Sequence, residues 1–258
     1  MKNAYLPAER QLRILDILRE QFTIRSSNLS ELMGVSEMTI RRDLDLLEQK
    51  GLIERTHGGA IFRQERVAGK FEYQNSIKEN PQEKERIARK AAALIEPNDT
   101  IYIGSGTTAA QVIRYAEPAM PFTIFTNNIG VTVEITDMAA ELVLLGGTYN
   151  LTTHSLAGPL TMEMIRQVNA TKVFLGADGV SLSAGVTTPN LDIAVIERSM
   201  ARHTRGQVIV MADHPKFGLA AEMSISPLKH IDVIITNRKL PIDFCNTLES
   251  LNVEVALA

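Results

Sequence analysis

The sequence predicts two folded units, a small winged helix-turn-helix followed by an α/β domain with a largely parallel sheet. The first prediction comes from an amphipathic helix that carries adjacent arginines and follows a short helix and a glycine turn. The second comes from short β-branched strands that alternate with helices from residue 82 onward, a pattern typical of parallel sheets. The chain has 258 residues, 45% of them hydrophobic, which is enough for both cores.

One predicted helix of the N-terminal unit has an apolar face and a polar face. Ile40, Leu44 and Leu47 recur at i, i+4 and i+7, which places them on one stripe. At about 100° per residue, Met38 and Arg42 lie almost opposite that stripe. A helix docked by its apolar face could therefore present arginine to phosphates and base edges of DNA. Taken alone, the pattern also fits a solvated surface helix.

The elements before this helix complete a helix-turn-helix. Pro7 predicts the start of a first helix, because its missing N–H would be unpaired there anyway. Ser27 or Asn28 is expected to cap a short second helix, and Gly34 to end it. Ser36 then caps the amphipathic helix. The order of these parts is that of a helix-turn-helix.

A β-hairpin is predicted directly after the amphipathic helix, where two short apolar segments flank Gly58-Gly59. A hairpin in this place is a wing. His57, near its tip, is either a DNA contact or a solvated turn histidine. The residues that we expect to contact DNA are Ser36, Glu37, Met38, Thr39, Arg41, Arg42, Arg55 and His57.

This N-terminal pattern resembles the DNA-binding region of the DeoR family of bacterial transcriptional regulators. The resemblance extends over about fifty residues and is more specific than a generic helix-turn-helix. It rests on Arg10, Ile14, Leu18, the run from Leu32 to Ser36, the run from Thr39 to Leu44, Leu47-Glu48, Gly51, Ile53, Arg55 and the run from His57 to Ala60.

Residues 62–81 are polar and without a clear period, and we predict that they form a linker, with or without a short strand or helix. The predicted domains are therefore 1–61 and 82–258. In the second, we expect strands at 100–103, 123–126, 141–145, 172–175, 207–211, 231–236 and 253–257. We expect helices at 82–95, after Thr108 as far as Tyr115, after Asn128 to about Met138, and at 160–168 and 192–203.

Small or hydrogen-bonding residues follow most of these strands, and ligands of open α/β sheets bind beyond the carboxyl ends of strands. The most informative loop is Gly104-Ser105-Gly106-Thr107-Thr108, between a strand and a helix. Its glycines permit close backbone approach, and free N–H groups at a helix start favour an anion. It lacks the Gly-Lys-Ser/Thr ending of a P-loop and the spacing of a dinucleotide fingerprint. A small phosphate group is therefore expected, unless the loop is only a tight turn with capping threonines.

Further candidates follow other strands. Lys216 could close over a phosphate, and Asp178 could bind sugar hydroxyls or form an Asx turn. Asn127 could equally be a helix cap. The complete set of predicted effector-binding residues is Gly104, Ser105, Gly106, Thr107, Thr108, Thr126, Asn127, Gly146, Gly147, Asp178, Asn190, Asp192 and Lys216.

The second unit also resembles the DeoR family, over nearly its whole length. The resemblance implies a sensor domain with the ribose-5-phosphate isomerase and CoA-transferase-like fold, and a phosphorylated sugar or sugar derivative as inducer. It rests on residues 106–108, 126–127, 145–150, Gly158, 174–179, 185–188 and 213–218.

The chain departs from the family pattern at two positions. Gly104 stands where many members have Asp, and Ile193 stands where many have Glu. Both changes remove acidic groups near the expected pocket, and isomerase chemistry needs positioned carboxylates. The run from Thr187 to Asp192 resembles the amino-sugar branch of the family.

Composition narrows the class of protein. The net charge of −3 argues against a protein that coats nucleic acid through bulk charge. A single cysteine, Cys245, allows neither an intramolecular disulfide nor a cysteine metal cluster, and the histidines have no ligand spacing. The sequence has neither an apolar run of membrane-spanning length nor a signal-peptide core, so we expect a cytoplasmic protein without metal or cofactor.

The leading hypothesis is a repressor of a carbohydrate-utilisation operon that a phosphorylated sugar releases from double-stranded operator DNA. We expect self-association as a dimer or tetramer, because two-fold operators need paired recognition helices. Two alternatives remain at this point. One is a sugar-phosphate isomerase with an accessory N-terminal domain, and the other makes the N-terminal unit a protein-interaction module.

Overall fold

The structure is a computed structural model, and it describes residues 6–21, 23–56, 58–62 and 73–258. The N-terminal unit is a three-helix module with a small antiparallel sheet in the order β1-β3-β2. This confirms the predicted helix-turn-helix and wing, and adds β1 to the wing. Its elements are α1 Pro7–Gln21, β1 Thr23–Arg25, α2 Ser26–Met33, α3 Glu37–Gln49, β2 Ile53–Arg55 and β3 Gly59–Phe62.

The turn between α2 and α3 has the predicted chemistry. Gly34 has a φ of 66°, the left-handed conformation that glycine adopts at low cost. The Ser36 side chain caps α3 by accepting from the backbone N–H of Thr39 at 3.2 Å. The expected cap of α2 at Ser27 or Asn28 is wrong, because α2 already begins at Ser26. The wing favours this earlier start of α2, because its Gly58 carbonyl accepts from the Ser26 N–H at 2.8 Å.

A buried ion pair ties α1 to α3 beside the apolar core of the N-terminal unit. Ile40, Leu44 and Leu47 are fully buried, as their spacing predicts. Next to them, Arg10 Nε lies 2.5 Å from Asp43 Oδ2, and both side chains are less than a tenth exposed. Gln11 Nε2 donates to Asp43 Oδ1 at 3.3 Å. The pair therefore links α1 to α3 next to the apolar core.

We expect Asp43→Ala to destabilise the N-terminal unit by about 3–5 kcal/mol, because it removes the Asp43 carboxylate from the buried Arg10 guanidinium. Denaturant unfolding monitored for the N-terminal unit measures the loss. The control is Glu31→Ala, which removes an exposed carboxylate from α2. Equal midpoints for the two variants would show that the ion pair does not stabilise the unit.

The second unit is built on a parallel sheet, as the sequence predicts. Its helices are α4 Tyr73–Lys78, α5 Pro81–Ala92, α6 Thr107–Arg114, α7 Pro159–Arg166, α8 Leu191–Arg202 and α9 Ile242–Ser250. Its strands are β4 Thr100–Ile103, β5 Thr123–Thr126, β6 Glu141–Leu144, β7 Thr148–Asn150, β8 Ser155–Ala157, β9 Ala170–Gly176, β10 Gly179–Ser181, β11 Gly185–Thr188, β12 Thr204–Met211, β13 Met223–Ser226, β14 Val233–Thr236 and β15 Glu254–Leu257.

Among the described residues, the largest sheet has the strand order β15-β14-β12-β9-β4-β5-β6, and every pairing in it is parallel. Residues of α5 and α6 bury one face of this sheet, and residues of α7, α8 and α9 bury the other. The strands β10, β11 and β13 form a separate antiparallel sheet next to α8. Its side chains extend the core on the α8 side.

The helix predicted to follow Asn128 and to extend to about Met138 is wrong. A 3₁₀ segment covers Ile129–Val133 instead, and the Asn128 side chain caps it by accepting from Gly130 N at 2.9 Å. β-Branched residues dominate this segment, and they disfavour an α-helix because they lose side-chain freedom in it.

Part of the predicted linker, residues 63–72, lies outside the described residues. Its later part is ordered onto the second unit as α4. The Tyr73 N–H donates to the Thr152 carbonyl at 2.9 Å, and its ring packs on His154 with centroids 4.9 Å apart. None of the helices in the described part of the chain has the length and apolar character needed to cross a membrane.

Candidate functional site

A pocket opens where the strand order of the parallel sheet reverses. β4 and β9 are neighbours, and the chain leads from β4 toward β6 on one side and from β9 toward β15 on the other. Such a switch point is the usual ligand site of an open α/β sheet. The free space in the pocket, counted together with its open mouth, is about 540 Å³.

The structure brings six of the predicted effector-binding residues together in this pocket. They come from the loop after β4, the loop after β9 and the turn after β12. The six are Ser105, Gly106, Thr107, Thr108, Asp178 and Lys216.

Two consecutive asparagines hold the loop after β4 in shape. Asn128 Nδ2 donates to the carbonyls of Gly104 at 3.1 Å and Gly106 at 3.0 Å. Asn127 Nδ2 donates to the Leu156 carbonyl at 2.9 Å and lies 3.3 Å from Ser105 Oγ. Asn127 is fully buried and does not line the pocket, so it acts on the pocket only through the loop.

Two lysines give the pocket positive charge. Lys216 was predicted from its loop, whereas Lys84 comes from α5 and was missed. Lys84 is buried, and its Nζ donates to the carbonyl and, at 3.2 Å, to the hydroxyl of Ser76. Burial lowers the pKa of Lys84 from its ordinary value. The sequence does indicate that Lys84 is buried, because it stands three residues before Ile87 on the apolar face of its helix.

Three carboxyl groups line the pocket as well, those of Asp178, Glu197 and Asp213. Asp178 Oδ2 accepts from Thr188 Oγ1 at 2.7 Å, and burial raises the pKa of Asp178. Glu197, on α8, was missed by the sequence analysis. It is almost completely buried, and its Oε1 accepts from the Ser105 N–H at 2.8 Å. Burial raises the pKa of Glu197 well above its ordinary value, and the Asp178 carboxyl adds to this.

The other predicted effector-binding residues lie elsewhere. Thr126 donates to the Ile103 carbonyl, Asn190 caps α8 by accepting from Ile193 N at 3.0 Å, and Asp192 is exposed. Gly146 and Gly147 lie against α7 and β8, and their neighbours include Leu160, Thr161 and Ala157. Gly104 is not among the residues that line the pocket, and the Glu197 carboxyl lies where a Cβ at position 104 would be directed.

The outward face of α3 presents most of the predicted DNA contacts. Met38, Arg41 and Arg42 are exposed, and Arg41 Nη2 lies 3.6 Å from the Glu37 carboxylate. The hydroxyls of Ser36 and Thr39, in contrast, face each other at 3.0 Å at the start of α3. His57 lies outside the described residues.

Arg55 braces the wing against α3. Its guanidinium pairs with Asp45 and donates to the carbonyls of Gly59 and Arg41, both at 3.2 Å. Its backbone N–H donates to Glu48 Oε1 at 2.9 Å. These contacts satisfy much of the donor capacity of Arg55 within the N-terminal unit.

A second wing residue, Glu54, contacts the other unit. Its carboxylate accepts from Ser181 Oγ at 2.6 Å, Leu182 N at 2.9 Å and Ser183 Oγ at 2.9 Å. These residues form the tip of the β10–β11 hairpin, and Glu54 is buried there. The wing and the hairpin are therefore held together by charge-assisted hydrogen bonds.

Comparison with known proteins agrees with this architecture. Residues 10–66 match the model of the DeoR-like helix-turn-helix domain, and residues 79–238 match that of the DeoR C terminal sensor domain. The HTH-type transcriptional regulator GlpR of Haloferax volcanii is 32% identical over 97% of both chains. The HTH-type transcriptional repressor GlcR of Bacillus subtilis is 32% identical over 96% of this chain and 95% of its own.

Among solved structures, ribose 5-phosphate isomerase A from Methanocaldococcus jannaschii is similar at 18% identity and a TM-score of 0.40. The similarity covers 54% of this chain and 55% of that one.

A helix-turn-helix domain joined to a sensor domain defines a transcriptional regulator. The chain belongs to the DeoR family of these regulators, as its sequence motifs predict.

Proposed function

We propose that this regulator represses a carbohydrate-utilisation operon and that a phosphorylated sugar or sugar derivative releases it from operator DNA. The observation that carries the proposal is the β10–β11 hairpin. One end of the hairpin lies at the pocket through Asp178 and Thr188, and its tip holds Glu54 of the wing. A ligand that moves the pocket end would act on the DNA-binding unit through this one element.

The lining of the pocket favours a phosphorylated polyol. Lys84, Lys216 and the first residues of α6 favour an anion. Asp178, Thr188 and Glu197 offer hydrogen-bonding groups suited to hydroxyls. A ligand that combines a phosphate with several hydroxyls satisfies both sets of groups.

A thermal-shift screen of sugar phosphates against the full-length protein tests the proposal, because a ligand that binds only the folded state raises Tm. The stabilising compound should then release the protein from a duplex selected by the protein from a random pool. Sugars without phosphate serve as the matched control. If stabilising sugar phosphates left the DNA complex intact, the proposed induction would be wrong.

We expect Glu54→Ala to bind both DNA and effector but to lose the influence of one on the other. Such coupling typically amounts to about 1–3 kcal/mol, or 5–150-fold in affinity. DNA affinity measured with and without saturating effector should then give a ratio near one for the variant. The control is Glu48→Ala, which removes a neighbouring carboxylate that contacts Arg55 and not the hairpin. A wild-type ratio in Glu54→Ala would rule out this route.

We also propose that the protein acts as a dimer or tetramer. A two-fold operator presents half-sites about 34 Å apart, and a pair of recognition helices is needed to occupy both. Sedimentation velocity of the free protein and of its DNA complex checks this expectation. A single protomer on a high-affinity duplex would contradict it.

A further inference from the structure

Positions 104 and 197 compete for one space in the pocket wall. A Cβ built on Gly104 would lie 2.7 Å from Oε1 of Glu197 and 3.0 Å from Cδ2 of Leu175. Contacts below 3.0 Å are essentially never made by real Cβ atoms. The Leu175 methyl group can shift, but the Glu197 carboxyl is held by the Ser105 N–H. A side chain at position 104 would therefore require the Glu197 carboxyl to shift, at the expense of its hydrogen bond with the Ser105 N–H.

The Glu197 carboxyl has unused hydrogen-bonding capacity. Its Oε1 accepts from Ser105 N, whereas within the described part of the chain no donor is bonded to its Oε2. The residue is 1% exposed, and it lines the pocket. A bound ligand is thus the natural partner for the second oxygen.

The surroundings favour the neutral form of this group. Deep burial and the nearby Asp178 carboxyl both disfavour a charge on Glu197. A neutral carboxylic acid carries one O–H donor as well as acceptor oxygens, whereas a carboxylate only accepts. It can therefore form a hydrogen bond with an uncharged hydroxyl or carbonyl oxygen of a ligand.

We propose that Glu197 binds the effector, and that it supplies from α8 the carboxyl group that Gly104 does not provide, by hydrogen bonding to a hydroxyl or carbonyl oxygen of the sugar portion. The inference rests on the proposed effector pocket. Phosphate recognition is assigned to Lys84 and Lys216, so the two parts of the ligand are separable. Loss of Glu197 should weaken binding of a sugar phosphate without weakening binding of phosphate alone.

Calorimetry on the full-length protein can separate these parts. The probes are inorganic phosphate, ribose 5-phosphate, glucose 6-phosphate and glucosamine 6-phosphate. Glu197→Ala should bind the responding sugar phosphate at least tenfold more weakly and inorganic phosphate as wild type does. Glu197→Gln should retain most of the affinity, because its amide also donates a hydrogen bond. The control, Glu222→Ala, removes an exposed carboxylate of the same unit.

A double variant tests the shared space directly. Gly104→Ala should lower Tm because its methyl group meets the Glu197 carboxyl, and adding Glu197→Ala should restore Tm. Gly104→Asp combined with Glu197→Ala should also recover part of the sugar-phosphate affinity, because a carboxyl then reaches the pocket from position 104. A wild-type Tm for Gly104→Ala would overturn the shared-space geometry.

The remaining outcomes are distinct. If Glu197→Ala binds the responding sugar phosphate as wild type does, the role of Glu197 is overturned and the effector pocket stands. If no probe binds the wild-type protein, the proposed effector class fails and the role of Glu197 fails with it. Equal losses for inorganic phosphate and sugar phosphate in folded Glu197→Ala would assign the residue to pocket shape and overturn the proposal.

Discussion

Replacing Arg42 by Ala is expected to abolish tight operator binding while the protein stays folded. Arg42 lies on the face of α3 opposite the buried Ile40 and Leu44, and it is exposed. It forms no ion pair with any described residue, so its guanidinium is available to a ligand. Because no packing is lost, the change should leave stability within about 0.5 kcal/mol.

The expected loss follows from the geometry of base recognition. One bidentate arginine–guanine pair contributes about 1–3 kcal/mol of discrimination against other bases. A dimer would lose such a pair at each half-site, about 2–6 kcal/mol in all. Titration of a selected duplex at fixed salt measures the change, and salt must be held constant because phosphate contacts depend on it.

Arg205→Ala is the matched control, since it removes an exposed arginine from β12 of the second unit. It should leave the affinity for the duplex unchanged. Unaltered affinity in Arg42→Ala, with the control behaving as wild type, would show that α3 is not the recognition helix.

The second large effect is expected from Lys216→Ala, which should still bind DNA but release it only at a much higher effector concentration. A hydrogen bond to a charged group contributes about 1.5–3 kcal/mol, so effector affinity should fall by about 10–150-fold. Release assays at increasing effector concentration would show the curve displaced to higher concentration. DNA affinity without effector should match that of wild type.

The residues after Lys216 hold its loop in place, so an effect of Lys216→Ala can be attributed to the missing ammonium group. It ends a short 3₁₀ turn, and the next residue, Phe217, is fully buried with its ring 5.3 Å from Phe244. The Gly218 N–H then donates to the Val180 carbonyl at 2.8 Å. Truncation at Lys216 should therefore remove the ammonium group without releasing the loop.

Lys229→Ala is the control for this variant, because Lys229 is exposed and belongs to the same unit without lining the pocket. Full effector response in Lys216→Ala would exclude the lysine from the effector site. Lys84→Ala offers an independent check from α5, although part of its effect would come from the lost contacts to Ser76.

Local patterns were sufficient to predict most regular elements. Strands at 100–103 and 123–126 were predicted to the residue, because uninterrupted apolar runs with β-branched residues mark buried parallel strands. The antiparallel strands β10, β11 and β13 were missed. Each has only three or four residues, and such short segments are identified by their partners more than by their own sequence.

The missed site residues share one physical cause. Lys84 and Glu197 lie on amphipathic helices, where periodicity identifies which face is buried but not what a buried polar group contacts. Lys84 meets Ser76, eight residues away, whereas Glu197 meets Ser105, ninety-two residues away. The contact between Glu197 and Ser105 depends on how α8 packs against the sheet that contains β4.

The order of elements, the α3 stripe and the glycine loop after β4 are local properties, and hydrophobic periodicity and turn chemistry are enough to predict them. The family follows from the same motifs. The pocket itself depends on strand order, because only the adjacency of β4 and β9 brings residues near 105 and 178 together. The contact of Glu54 with Ser181 and Ser183 likewise arises from the packing of the wing on the hairpin, which no local pattern encodes.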